Sequence, residues 1–303
     1  MSRAVKILFA VFLAAAMVFT VTKPGQRFWY GCMKAAGLAH FTAVLEEDMV
    51  HIHVIDVGKA DAILIESADA AVLIDTATAD RAEDVLRYLE ARHVDKLDAV
   101  WITHGDDDHA GGISQLSDAL EIGAVYRSPY SLSPSTEPGT QSASVGSIYD
   151  YGVFTLEVLA PYEQMPEENN NSLVLKLQSG TFTMLFCGDA EEAAENAMLS
   201  RGADLKADVL KTAHHGSDTS TSNAFLEACS PDYAVISVGQ DRNELPRNTV
   251  LKRFGDREIP VFRTDEHGTV VISTDGSHIQ ILTETAGMLV GGEQERYYEE
   301  NDH

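Results

Sequence analysis

The stretch Thr103-His104-Gly105-Asp106-Asp107-Asp108-His109-Ala110-Gly111-Gly112 puts two imidazoles and three carboxylates within six consecutive positions. It follows the apolar run Ala99-Val100-Trp101-Ile102 directly, so a strand ends where ligand-type side chains begin. A divalent cation would sit there, with His104 and Asp106 alternating as on an extended chain and Asp108 and His109 turning toward the same place. Gly111 and Gly112 let backbone pass close by. The competing reading is a solvated acidic turn whose Asp caps a helix. A cap needs one carboxylate and no histidine.

Outward from this stretch, a weak internal repeat appears. Leu73-Ile74-Asp75 leads through the amphipathic run Asp80 to His93, with Val85, Leu86, Leu89 and His93 on one stripe, to the strand Ala99 to Ile102 and His104. Leu185-Phe186-Cys187-Gly188-Asp189 leads through the helix Ala190 to Ser200 to the strand Ala207 to Ala213 and His214. Asp75 to His104 spans 29 positions and Asp189 to His214 spans 25. Two facing halves of this kind place a site at the shared strand ends. His51 and His53 share one face of the opening strand and are read as ordinary core or surface histidines. The Ser-, Thr-, Pro- and Gly-rich segment Ser128 to Gly146 reads as a long surface loop that overhangs the pocket or is a plain insertion.

Six motifs occur in a fixed order: Asp56-Val57-Gly58 with Asp61, Leu73-Ile74-Asp75-Thr76, the His/Asp cluster, Asn170-Asn171-Ser172-Leu173-Val174, Cys187-Gly188-Asp189-Ala190 and His214-His215-Gly216-Ser217. His104-x-Asp106-x-Asp108-His109 resembles the H-x-[HD]-x-D-H signature of the metallo-β-lactamase fold, and the whole series resembles the hydrolase domain of ComEC/Rec2 competence proteins over roughly residues 50 to 285. The resemblance implies an α/β chain folded as a four-layer αββα sandwich. It also implies one or two zinc or manganese ions: His104 and Asp106 on the first, Asp108 and His109 on the second, Asp189 bridging, and one of His214 and His215 completing the second. His215 is preferred as the ligand, with His214 left to contact the substrate or protonate the leaving group and Asp108 to share in catalysis. Asn171, Ser172, Ser217 and Arg247 are the candidate substrate contacts.

Three departures from the family pattern bear on activity. Lys59 and Ala60 replace Gln and Gly in the first loop, Asn170-Asn171-Ser172 stands where many members carry a histidine ligand, and Leu245 stands where the competence relatives carry the histidine of G-H-P-S. An oxygen-rich first position favours manganese or partial occupancy over a tight pair of zinc ions. Arg247 is expected to supply part of the anion binding that the histidine provides in those relatives.

A chain of 303 residues, 45% hydrophobic, is long enough for one large α/β domain. Its formal charge of -25 disfavours nonspecific attraction to polyanions, so a nucleic-acid substrate would be held locally. The three cysteines lack C-x-x-C spacing and read as core residues or free thiols. Arg3 and Lys6 precede the apolar run Ile7 to Val21, which reads as a signal or an uncleaved membrane anchor with the remainder outside the cytoplasm. The expected division is an anchor over 1–25, a linker over 26–48, the catalytic domain over 49–285 and an acidic tail over 286–303. The function expected from all this is an extracytoplasmic metal-dependent phosphodiesterase or nuclease, tethered to the cell membrane or secreted, with DNA among its candidate substrates. The alternatives are a phosphorylcholine-esterase-like enzyme of cell-wall or phospholipid diesters and a non-catalytic scaffold of DNA uptake. β-Lactam hydrolysis ranks last, because Asp106 and Asn171 remove imidazoles that such enzymes keep.

Overall fold

The structure is a computed structural model that describes residues 48–133, 139–239, 244–285 and 289–290. The expected anchor over 1–25 lies outside the described residues, as does most of the linker; among the described residues no helix is long and apolar enough to cross a membrane. The expected four-layer αββα sandwich is what the chain forms.

Nine strands make the first sheet, in the order Leu289–Val290, Ile279–Thr283, Val270–Thr274, Val50–Val54, Ile63–Glu66, Ala71–Ile74, Ala99–Ile102, Val125–Arg127 and Gln141–Ser142. Leu289–Val290 pairs with Ile281 and Leu282, so the sheet draws on residues within the span 286–303 that was read as a tail. Seven strands make the second sheet: Val261–Arg263, Tyr233–Ile236, Val209–Lys211, Phe182–Phe186, Val174–Ser179, Thr155–Ala160 and Ile148–Asp150. Hairpins open each half and parallel crossovers close it, and the pairs that matter are parallel: Ala71–Ile74 with Ala99–Ile102, and Phe182–Phe186 with Val209–Lys211. The repeat seen in the sequence is therefore a repeat of topology. Ligand-type residues follow the carboxyl ends of these four strands.

Alternating inward side chains of both sheets, among them Ile52, Trp101, Phe154 and Phe186, form the central core. The outer face of the first sheet is covered by the helices Ala82–Ala91 and Ile113–Ala119, and that of the second by Glu192–Ser200, Asn223–Cys229 and Asn248–Gly255, each set over its own apolar cluster. Cys187 and Cys229 are buried free thiols in the second of these clusters. On the first helix Val85 and Leu89 are buried as expected. His93 is not: it lies past the helix end at φ 61° and is exposed, while Arg92 turns inward and pairs with Glu66. Glu66 also lies 2.9 Å from His53 Nε2, and His53 Nδ1 meets the Tyr88 hydroxyl at 2.8 Å. His53 is thus buried against this helix, and His51 is buried with its Nδ1 2.7 Å from the Ser273 hydroxyl; neither belongs to the groups of potential metal ligands.

Candidate metal centre

The side chains of the centre follow strand ends, and His109 and His215 are each oriented from behind by a partner distant in sequence. Asp75, at φ 59°, follows the Ala71–Ile74 strand. Its Oδ1 accepts the Thr103 N–H and its Oδ2 accepts the Thr103 hydroxyl, both at 2.8 Å. The same Oδ2 lies 2.8 Å from His109 Nδ1. A carboxylate only accepts, so His109 carries its proton on Nδ1 and turns Nε2 toward the cleft. His215 is fixed in the same way by the opposite sheet, its Nδ1 donating to the Ser237 carbonyl at 2.9 Å. A third support is fully buried: Lys211 Nζ holds Asp61 Oδ2 at 2.8 Å, which leaves Asp61 Oδ1 at 3.8 Å from His215 Nδ1.

The atoms left over converge. His109 Nε2 lies 3.1 Å from Asp189 Oδ1, His215 Nε2 3.9 Å from the same oxygen and 3.5 Å from Asp108 Oδ2, and His104 Nε2 4.0 Å from Asp189 Oδ2. His104 Nε2, His109 Nε2, His215 Nε2 and Asp189 Oδ1 are buried, and none finds a hydrogen-bond partner among the described residues. Orphaned buried polar atoms are costly, and a cluster of them on imidazole and carboxylate is the donor set of a divalent cation. Two overlapping groups of ligand atoms, sharing His109, could each hold an ion: His104 with His109 and Asp189, and Asp108 with His109 and His215. A further group, Asp61, Asp75 and His109, comprises the supports behind them.

Electrostatics point the same way. Burial disfavours the charge on Asp189, yet the His109 and His215 imidazoles hold its carboxyl well below the usual range. Burial also works against a proton on His109, and Asp189 and Asp75 overcome it and raise that imidazole well above its ordinary value. Asp108 is lowered against its own burial by His215, His109 and Lys59. The pocket favours positive charge at its centre.

Not all expected residues join it. Asp106 is half exposed at the start of the Asp107–Ala110 helix, with Oδ2 3.7 Å from His104 Nε2, and it belongs to neither compact group. Asn171 is a correction: its Oδ1 accepts the Met165 N–H and its Nδ2 donates to the Met165 and Glu167 carbonyls, so the amide is used up inside its own loop and does not face a substrate. Asn170 accepts the Glu191 and Ala194 N–H groups and tethers the start of the Glu192–Ser200 helix. Ser172 Oγ accepts the Asp189 N–H at 3.2 Å, a support rather than a surface. Ser217 meets the Thr219 hydroxyl at 3.0 Å, and that hydroxyl lies 3.2 Å from His214 Nδ1. Arg247 gives its N–H to the Gly216 carbonyl, which sets it beside the histidine turn, and Leu245 packs against the second outer cluster.

The sequence places His214 and His215 at the end of a straight strand, on opposite sides. They lie instead in a turn where both residues are left-handed, at φ 49° and 51°, and Gly216 follows at φ 80°. A Cβ on Gly216 would stand 2.5 Å from Pro246 Cβ, so the turn is wedged shut. The separation survives by this other route: His215 is fully buried and His214 stays partly open at the mouth, its Nε2 3.8 Å from Asp189 Oδ2 and its Nδ1 3.4 Å from Glu191 Oε1. Ser133, in the long loop, lies against Gly105, where an added Cβ would collide with it at 2.2 Å, and Glu168 ties the two by accepting from Gly105 N and Ser131 Oγ. Sequence reasoning missed Asp75, Lys211, Ser237, Glu191 and Glu168; of these only Asp75 stands in a quoted motif.

The family model described as "Metallo-beta-lactamase superfamily" matches residues 55–240. The chain is 29% identical over 261 residues to Competence protein ComA of Neisseria gonorrhoeae, covering 85% of this chain and 37% of that protein. It is 29% identical over 274 residues to ComE operon protein 3 of Bacillus subtilis (strain 168), covering 80% of this chain and 34% of that protein. The chain thus spans about a third of these relatives. Among solved structures it is similar to the metallo-beta-lactamase fold protein YhfI from Bacillus subtilis, with a TM-score of 0.52, 14% identity, and coverage of 74% of this chain and 99% of that one.

Proposed function

Because the chain belongs to the metallo-β-lactamase superfamily, we propose that it is a metal-dependent hydrolase of phosphodiester bonds, acting outside the cytoplasm. The observation that carries the reading is the set of buried, unpartnered atoms on His104, His109, His215 and Asp189. One or two ions held there by His104, Asp108, His109, Asp189 and His215 would polarise a water and the scissile phosphoryl group. Asp106 would complete the first position from the solvent side, and with Asn171 turned away that position is rich in oxygen, which favours manganese over zinc.

The chain's own residues do the rest. His214 stands at the mouth, oriented by Thr219 and Glu191, where it would donate a proton to the departing oxygen or hold a phosphate oxygen. Ser217 acts through Thr219, and Arg247 borders the same turn as an anion contact. The two competence relatives support a substrate related to DNA. The charge of -25 speaks for a small or locally held diester, and cell-wall or phospholipid diesters are the runner-up substrates. The apolar run Ile7 to Val21 supports a membrane tether.

Metal content of the purified full chain and its turnover of bis-p-nitrophenyl phosphate with zinc or manganese test the proposal together. At least one ion per chain and turnover are expected, and Asp189→Asn and Asp108→Ala are each expected to abolish turnover while the chelator-treated variants melt like chelator-treated parent. Leu245 and the inward Asn171 favour one other reading, a scaffold with a degraded site. Less than one ion per chain and no turnover would establish that reading instead.

A further inference from the structure

The first loop carries a cation into the centre. Gly58 sits at φ 79°, its N–H donates to Asp56 Oδ1 at 3.2 Å, and Asp61 N–H donates to the Asp108 carbonyl at 3.0 Å. Across the cleft, a Cβ on Gly239 would stand 2.6 Å from Lys59 N and 2.7 Å from Gly58 Cα. Backbone held from both sides fixes where Lys59 starts. Its Nζ reaches Asp108 Oδ2 at 2.7 Å, the same oxygen that lies 3.5 Å from His215 Nε2.

An ammonium and a divalent ion would compete for that carboxylate, because two cations a few ångströms apart repel strongly in a partly desolvated site. An ion held by His109 and His215 as well would draw on that oxygen, and the ammonium would then move off. A four-carbon stem allows that movement, and the pair is already partly open, with side chains 24% and 19% exposed. Asp106 and Asp107 are exposed beside the ligands in sequence and Glu191 lies 3.4 Å from His214, negative charge that is unfavourable for an anionic substrate. We propose that Lys59 binds an anionic oxygen of the substrate alongside His214 and Arg247, parked on Asp108 until a divalent cation takes its place. The inference rests on the hydrolase reading above.

The test uses the full chain, manganese and inorganic phosphate, each followed by calorimetric titration. Lys59→Gln is expected to bind manganese more tightly than the parent, because a competing cation is gone. With manganese present it should bind phosphate about tenfold or more weakly, the loss of one charge-assisted hydrogen bond, and Lys59→Arg should restore most of that affinity. Unchanged phosphate affinity in manganese-loaded Lys59→Gln overturns the inference and leaves the hydrolase reading standing. A parent chain that takes up neither manganese nor, in a parallel titration, zinc defeats both; Lys59 would then be a fixed ion pair, and Lys59→Gln would lower the melting temperature.

Discussion

Asp75→Asn isolates one function of a residue that touches no substrate. Asn tolerates the left-handed backbone at φ 59° as Asp does, so the exchange removes acceptor capacity and charge with little change of shape. Asp75 accepts from three donors, Thr103 N, Thr103 Oγ1 and His109 Nδ1. An amide has one accepting oxygen, so at least one buried donor is left facing an NH2 group. An unsatisfied buried donor costs about 1–3 kcal/mol and the absence of a bond to a carboxylate about 1.5–3, which together predict a drop of roughly 2.5–6 kcal/mol in folding stability. The metal side is separate: an imidazole without its orienting partner typically binds about 10–100-fold more weakly. Urea unfolding in chelator measures the first quantity and manganese titration the second. A variant matching the parent in both would refute the claim that Asp75 sets the tautomer and aim of His109.

The histidine pair should separate ligand from proton donor. His215→Ala is expected to lose metal, whereas His214→Ala keeps it and turns over at least about 10²-fold more slowly, with partial recovery on nitrophenyl esters whose leaving group needs no proton; the opposite metal pattern would exchange the roles. His51 sets part of the acid stability. Burial first and the neighbouring His53 second lower its pKa to about 4, so between the unfolded value of 6.5 and about 4 the unfolded chain binds the extra proton and stability falls as pH falls, by up to about 3 kcal/mol. Urea midpoints at pH 7 and pH 4.5 should therefore differ less in His51→Gln than in the parent, and an equal difference in both would remove His51 from the acid limb.

Much of this was legible in the chain. Apolar runs ending in His or Asp marked the strand ends, and the Asp75–His104 and Asp189–His214 parallel marked the two facing halves, because period and order are local properties of sequence. What stayed hidden was whatever depends on partners far along the chain. Nothing at Asn171 shows that its amide will fold back onto Met165, and nothing at Ser237 shows that a plain carbonyl will hold His215 from 22 residues away. The left-handed histidines were missed for the same reason. Their turn is enforced by Pro246 against Gly216, a contact across an intervening helix and strand, and local preference is against it. Lys59 stood out in the sequence only as a departure from the family pattern in the first loop, and only the approach of Gly239 shows that the loop is held and aims its ammonium at Asp108.

The sharing of the ligand set between the two sheets has a mechanical consequence. His104, Asp108 and His109 leave the first sheet, while Asp189 and His215 leave the second. An ion joining them would cross-link positions some eighty to a hundred and ten residues apart along the chain, as a disulfide does, by closing a long loop in the unfolded ensemble. Unlike a disulfide, this cross-link would tighten with free-ion concentration and open in a chelator, so the cohesion of the two halves would follow the metal supply of the surroundings. A chain whose described cysteines are both buried free thiols would in this way gain a reversible staple without an oxidising environment.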